Sequence, residues 1–123
     1  MLCVNKQTGN IEIVRGDSFV LSLFINKGTK MNPEIYQLGP NDKVYFALLE
    51  PNQIFEEAIV KKVITSADAD SDGILSISFE AADTCDLEPG TYYYQIKAAF
   101  KDIEENKTIV NTIVNKKIFN ILE

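Results

Sequence analysis

The sequence predicts an all-β fold, an antiparallel β-sandwich of about seven strands with one short helical turn near residues 80–86. Three observations carry this. Apolar residues alternate with polar ones at period two in stretch after stretch, while the 3.6-residue period of an amphipathic helix is almost absent. Gly, Pro, Asn and Asp punctuate these stretches at regular spacing. The chain has 123 residues, 46% of them hydrophobic and 10% aromatic, so one core can form without disulfides or metal.

The strands follow in order. Ile11, Ile13 and Val14 make a short first strand, ended by Arg15-Gly16-Asp17. Residues 18–25 place Phe19, Leu21, Leu23 and Ile25 on one face and Val20 and Phe24 on the other. Residues 26–40 are a Gly-, Asn-, Lys- and Pro-rich loop, in which Ile35, Tyr36 and Leu38 are expected to fold back onto the sandwich edge. Residues 43–49 form a strong strand, with Val44, Phe46 and Leu48 facing one way and Tyr45, Ala47 and Leu49 the other. Pro51-Asn52 breaks it, and residues 58–65 follow as a strand whose Lys61-Lys62 pair suits a solvated edge. After a turn at residues 68–73, Leu75, Ile77 and Phe79 point inward and Ser76 and Ser78 outward.

Residues 80–86 are the one helical turn, and Cys85 is expected to be buried there. Pro89-Gly90 opens the clearest strand, residues 91–100, with Tyr92, Tyr94, Ile96, Ala98 and Phe100 as its inward row. Residues 102–106 read as a polar hairpin turn. Residues 108–122 close the chain as one long strand or a broken pair, with Ile109, Ile113, Ile118, Phe119 and Ile121 supplying apolar contacts. The large inward side chains suit two layers about 10 Å apart, an immunoglobulin-like sandwich rather than a barrel. With no internal repeat, low-complexity stretch or linker, residues 1–123 read as a single domain.

Charge narrows the partners. Eighteen acidic against twelve basic residues give a net charge of −6, with a single arginine, Arg15. Neutralising nucleic-acid phosphates requires clustered Lys and Arg, so nucleic acid is not an expected partner, and an anionic membrane surface is disfavoured for the same reason. No apolar run approaches a membrane span. Residues 1–6 carry no signal peptide, so the chain is expected to fold in the cytoplasm with Cys3 and Cys85 reduced and Cys3 exposed.

The absence of histidine removes His-based triads, bases and metal sites. No Gly-rich phosphate loop follows a strand, and the carboxylates fall in turns and at strand ends. No catalytic residue, cofactor or small-molecule substrate is therefore expected.

Three motifs invite a sharper reading. Asp68, Asp70 and Asp72, followed by Gly73, match the opening of a calcium loop, in which oxygens at alternate positions converge on the ion. The match fails at its twelfth position, Phe79, and between flanking strands the same residues make an ordinary hairpin turn. Arg15-Gly16-Asp17 spells an adhesion tripeptide but also suits a turn. Tyr92, Tyr93 and Tyr94 could stack on sugars, yet two belong to the inward row. A Tyr just past a Pro-Gly corner commonly bonds nearby backbone through its hydroxyl. The outward set Val20, Phe24, Tyr45, Leu49 and Tyr93 is the candidate interaction patch. Asn106-Lys107-Thr108 has the form of a glycosylation sequon, which matters only in a eukaryotic secretory setting.

Four stretches also carry a family likeness: Ile13-Val14-Arg15-Gly16-Asp17-Ser18-Phe19, residues 36–46 from Tyr36 to Phe46, residues 72–84 from Asp72 to Thr84, and Leu87-Glu88-Pro89-Gly90-Thr91-Tyr92-Tyr93-Tyr94. In order and spacing they span most of the chain. They resemble a family of small bacteriophage tail and baseplate proteins, similar to the N-terminal domain of baseplate upper proteins from phages of Gram-positive bacteria. The resemblance implies an immunoglobulin-like fold and a structural role in a virion. It also implies partners that are other tail proteins or copies of the chain itself. It carries over no catalytic residue. The alternative expectation is an adhesin-like module that binds a glycan or a surface protein.

Overall fold

The computed structural model describes residues 3–4, 9–26, 28–29, 31–32, 34–102 and 107–123. Among them eight strands form two sheets: β1 (Cys3–Val4), β2 (Ile11–Val14), β3 (Phe19–Leu23), β4 (Lys43–Leu49), β5 (Val60–Ile64), β6 (Leu75–Phe79), β7 (Gly90–Asp102) and β8 (Lys107–Leu122). The larger sheet has the order β1-β2-β8-β7-β4-β5, and β3 and β6 pair as the smaller one. This is an all-β, sandwich-like fold with, among the described residues, a single short α-helix, α1 (Ala81–Thr84), where the helical turn was expected. One pair departs from the antiparallel expectation. β2 runs parallel to the end of β8, with Ile11 beside Phe119 and Val14 beside Leu122.

The period-two rows become the core because a strand sends alternate side chains to one face. Val44, Phe46 and Leu48 of β4, Leu75, Ile77 and Phe79 of β6, and Tyr92, Tyr94, Ile96 and Ala98 of β7 are all buried in one cluster. Ser76 and Ser78 lie on the exposed face of β6. Phe46 sits where the sheets meet, with its ring 5.1 Å from Phe79, 5.5 Å from Tyr94 and 6.3 Å from Phe119. Phe19 stacks on Phe79 at 4.6 Å and extends the aromatic layer to β3.

Loops close the ends of this core. Leu38 is buried, and Tyr36 meets Phe100 edge-on at 5.2 Å, so the long loop does fold back onto the sandwich. Its anchor is Asp42, a buried carboxylate. Its Oδ2 accepts from the Tyr36 hydroxyl (2.7 Å) and the Gly39 N–H (2.8 Å), and its Oδ1 accepts from the Lys101 N–H (3.2 Å). At the opposite corner the Tyr92 hydroxyl donates to the Glu88 carbonyl at 2.7 Å, the tie expected past Pro89-Gly90. The Tyr94 hydroxyl donates to the Gly9 carbonyl. Burial raises the phenol pKa of both Tyr92 and Tyr94 above the ordinary value, with Glu50 and Glu88 adding to the effect at Tyr92.

Cys85 is exposed, not buried as the sequence suggested; it caps the end of α1 while its neighbour Thr84 takes the interior position. The side chain of Cys3 and the hairpin turn at residues 103–106 lie outside the described residues.

Candidate functional site

The sequence motifs that invited a chemical reading turn out to hold backbone. At Arg15-Gly16-Asp17 the Arg15 N–H donates to the Leu122 carbonyl (2.8 Å) and the Gly16 N–H to Thr84 Oγ1 (3.0 Å). Gly16 has φ of +81°, which glycine adopts without the strain a side chain would add. The tripeptide therefore docks one strand turn onto β8 and α1.

The three aspartates do not converge on one point. Asp68 Oδ2 accepts from the Thr65 N–H at 2.9 Å and caps the short 3-10 turn Ser66–Asp68. Asp70 Oδ1 accepts from the N–H groups of Asp72 and Ile74, each at 2.9 Å. Asp72 is exposed. Among the described residues no group of three or more Cys, Asp or Glu is placed to hold a metal ion. Asp70→Ala is thus expected to cost about 1 kcal/mol through two lost turn bonds. Thermal unfolding should show that loss equally with and without millimolar calcium; a calcium-dependent gain in the parent protein would reverse the assignment.

The five residues expected to form one patch are divided. Val20 and Phe24 are exposed, at 55% and 48%, on or just beyond β3 of the smaller sheet. Tyr45, Leu49 and Tyr93 belong to the outer face of the larger one, where Tyr93 lies opposite Leu49 in the β4–β7 ladder. Leu49 is fully buried, which corrects its place in the set. The reason is the segment after β4, which turns back over this face. Phe55 meets Tyr45 edge-on at 6.4 Å, and the ammonium groups of Lys61 and Lys97 each lie 4.6 Å from its ring centroid. Lys116 Nζ donates to the Gln53 carbonyl at 3.1 Å and holds the same segment from β8. Beside it, Pro51, Asn52, Tyr93 and Lys116 line a shallow hollow of about 220 Å3. Asn52 and Lys116 both have positive φ, at 74° and 43°.

A surface that sequence reasoning missed lies on β8. Ile109 and Ile113, expected to supply apolar contacts, are exposed at 44% and 39%, and Val110 reaches 61%. β7 pairs along nearly the whole of β8, out to Asp102 and Lys107. β2 takes the other edge only from Phe119 to Leu122. Among the described residues no strand pairs with that second edge over residues 108–118, which leaves its main-chain N–H and C=O groups without a strand partner there. The signal was present in the sequence. Thr108-Ile109-Val110-Asn111 is repeated at once as Thr112-Ile113-Val114-Asn115, which corrects the expectation of no internal repeat; the unit carries no charge, and its Thr, Ile and Val are strong β-formers.

The far edge of the same sheet shows the usual protection. On β5, Lys61 reaches out over Phe55. Lys62 lies opposite Phe46 in the β4–β5 ladder and bonds Asp83 at 2.7 Å at the sandwich rim. Burial of Asp83 opposes its ionisation, but the bond to Lys62 and the Glu80 N–H outweigh it and hold the carboxyl below its usual pKa. Lysines on an edge strand discourage pairing with another chain, and β8 has none over residues 108–115.

A hollow of about 440 Å3 opens beside this bare edge, lined by Ile25, Asn26, Tyr36, Phe100, Asn111, Thr112 and Ile113. The chemistry on offer is that of an unfilled sheet position next to an apolar recess. It can accept an extended segment through main-chain hydrogen bonds and take side chains into the recess. No protein-family model, curated protein or solved structure matches the chain.

Proposed function

We propose that this domain is a non-enzymatic structural and interaction module, a component of a phage or prophage tail or baseplate made in the bacterial cytoplasm and carried in the virion. The observation that carries the reading is the unpaired edge of β8 with Ile109, Val110 and Ile113 exposed along it. Assembly through sheet edges and faces needs such a surface, and binding chemistry built on main-chain groups needs no catalytic side chain. The motifs of the family likeness support it by their structural roles: they dock the turn at Gly16 onto Thr84, anchor the loop on Asp42 and tie the corner at Tyr92.

The test is co-purification of the tagged chain with the products of its neighbouring genes, alongside light scattering on the isolated protein. Tail genes at that locus and a stable complex with one of their products, or with itself, are the expected results. A strict monomer that captures no partner, encoded away from any tail genes, would overturn the proposal.

One observation favours a second reading. The hollow at Pro51, Asn52, Tyr93 and Lys116 combines an aromatic ring, an amide and a cation, a set that suits an acidic or polar sugar. On that reading the domain is an adhesin-like binder of a surface glycan or protein. A glycan array probed with and without calcium distinguishes the two: hits lost on Tyr93→Ala support the sugar reading, and a blank array removes it.

A further inference from the structure

We infer that the bare edge of β8 is occupied by the same edge of a second copy, joined antiparallel across a two-fold axis into one continuous sheet. This rests on the assembly reading above and names the partner in it. The edge itself argues for a copy of the chain. A two-fold axis normal to the sheet pairs residues that face the same way, and its best place is at Asn111. Ile109 then lies opposite Ile113 of the second copy, Val110 opposite Thr112, and Asn111 opposite its own equivalent. Each is a favourable cross-strand pair, β-branched against β-branched or amide against amide. The repeat of Thr-Ile-Val-Asn makes the strand complementary to its own reverse, which a partner of unrelated sequence has no reason to match.

Electrostatics point the same way. Two chains that each carry a charge of −6 repel wherever acidic surfaces meet, but residues 108–115 contain no charged side chain. The contact therefore falls where like charge opposes like least. The apolar recess adds cover. Ile113 lines it, and Ile109 of the second copy, set opposite Ile113, comes to its mouth. Pairing over these residues with the recess capped buries on the order of 1,000 Å2 in total, the lower end of a specific interface. The expected complex is a reversible dimer with micromolar dissociation, closed because each bare edge consumes the other.

Irregularities in the ladder limit where the pairing can run. Its register slips between the Tyr94 and Ile96 pairs and again between Ile96 and Lys97, on the side of β8 nearest Phe119. From Thr112 outward to Lys107 the ladder is regular. The two-fold at Asn111 lies in that regular stretch.

Sedimentation equilibrium on the full chain across the micromolar range tests this. A monomer–dimer equilibrium is expected, with amide hydrogen exchange over residues 108–114 slowing as concentration rises. Val110→Lys puts a charge on the exposed edge and is expected to weaken the dimer at least tenfold while leaving the circular dichroism spectrum unchanged. Thr112→Lys, at another exposed position, repeats the test if the first variant folds poorly. A monomer at every concentration, or a dimer indifferent to both lysines, overturns the inference. If the chain stays monomeric yet captures a product of a neighbouring gene, and Val110→Lys abolishes that capture, the second copy is ruled out while the assembly reading stands. If neither self-association nor capture occurs, both fall.

Discussion

Replacing Phe46 by alanine is expected to remove about 4 kcal/mol of stability, the largest effect of any single truncation in the core. The ring is fully buried and contacts Phe79 from the smaller sheet as well as Tyr94 and Phe119 from its own. Its loss removes the transfer energy of the side chain and leaves a cavity between two sheets held apart by the remaining rings. Those neighbours cannot all close in, because Phe79 is also stacked on Phe19 and Tyr94 is tied through its hydroxyl to Gly9. A domain of this size is stable by roughly 5–15 kcal/mol, so the variant should sit near the limit of folding. Urea unfolding followed by circular dichroism should show the midpoint falling by about 2 M. Phe46→Leu, which refills most of the volume, should recover more than half of the loss. A drop below about 1 kcal/mol for the alanine variant would mean that the two sheets do not meet at this ring.

The second large effect is expected at Asp42. Removing its carboxylate in Asp42→Ala strands the Tyr36 hydroxyl and the N–H groups of Gly39 and Lys101, at a cost of about 3 kcal/mol. It should also free the long loop, since Asp42 joins that loop to β7. Faster amide exchange at Gly39 and Lys101 is the local readout. Asp42→Asn keeps acceptor capacity at one oxygen and should lose less.

This anchor has a pH dependence with a definite sign. Burial, then the hydrogen bond to Asp42 and its negative charge, push the Tyr36 phenol from the ordinary 10.0 up to about 12. The folded state thus holds this proton more tightly than the unfolded chain does. The contribution is fully present below pH 10.0 and is lost as pH rises toward about 12. Tyr92 and Tyr94 are shifted in the same direction, so they add to the loss of stability as pH rises past the ordinary phenol pKa of 10.0. Tyr36→Phe should flatten part of that fall. Ultraviolet titration of tyrosinate should show one late-titrating phenol missing from the variant.

Much of the fold was legible because its signals are local. Alternation at Val44, Phe46 and Leu48, at Leu75, Ile77 and Phe79, and along Tyr92 to Ala98 names the buried face of each strand without reference to any other. The corner at Tyr92 follows from Pro89-Gly90, and the lysines of β5 mark an edge. What alternation leaves open is what covers the opposite face. Leu49 points outward from the core layer and is still buried, because the segment carrying Phe55 returns over it. Ile109 and Ile113 have the composition of core residues but lie beyond the stretch of β8 that β2 covers. The parallel register of β2 on β8 depends on contacts between opposite ends of the chain, and no local spacing encodes it. The candidate site was hidden for a related reason. It consists of main-chain groups, which every residue has, and the sequence shows only that nothing over residues 108–115 blocks them.

The parallel pair also sets the order of events in time. Ile11 to Val14 can find their partners only after Phe119 to Leu122 exist, since among the described residues the only other strand that flanks β2 is the two-residue β1. On the ribosome the first strands must therefore wait, unpaired on that side, until nearly the whole domain has been made. Closing so long a loop is slow, and folding on the millisecond-to-second scale is expected for a topology dominated by such distant partners. During that wait β7 also lacks its β8 partner, and the chain is then most open to pairing with the wrong neighbour.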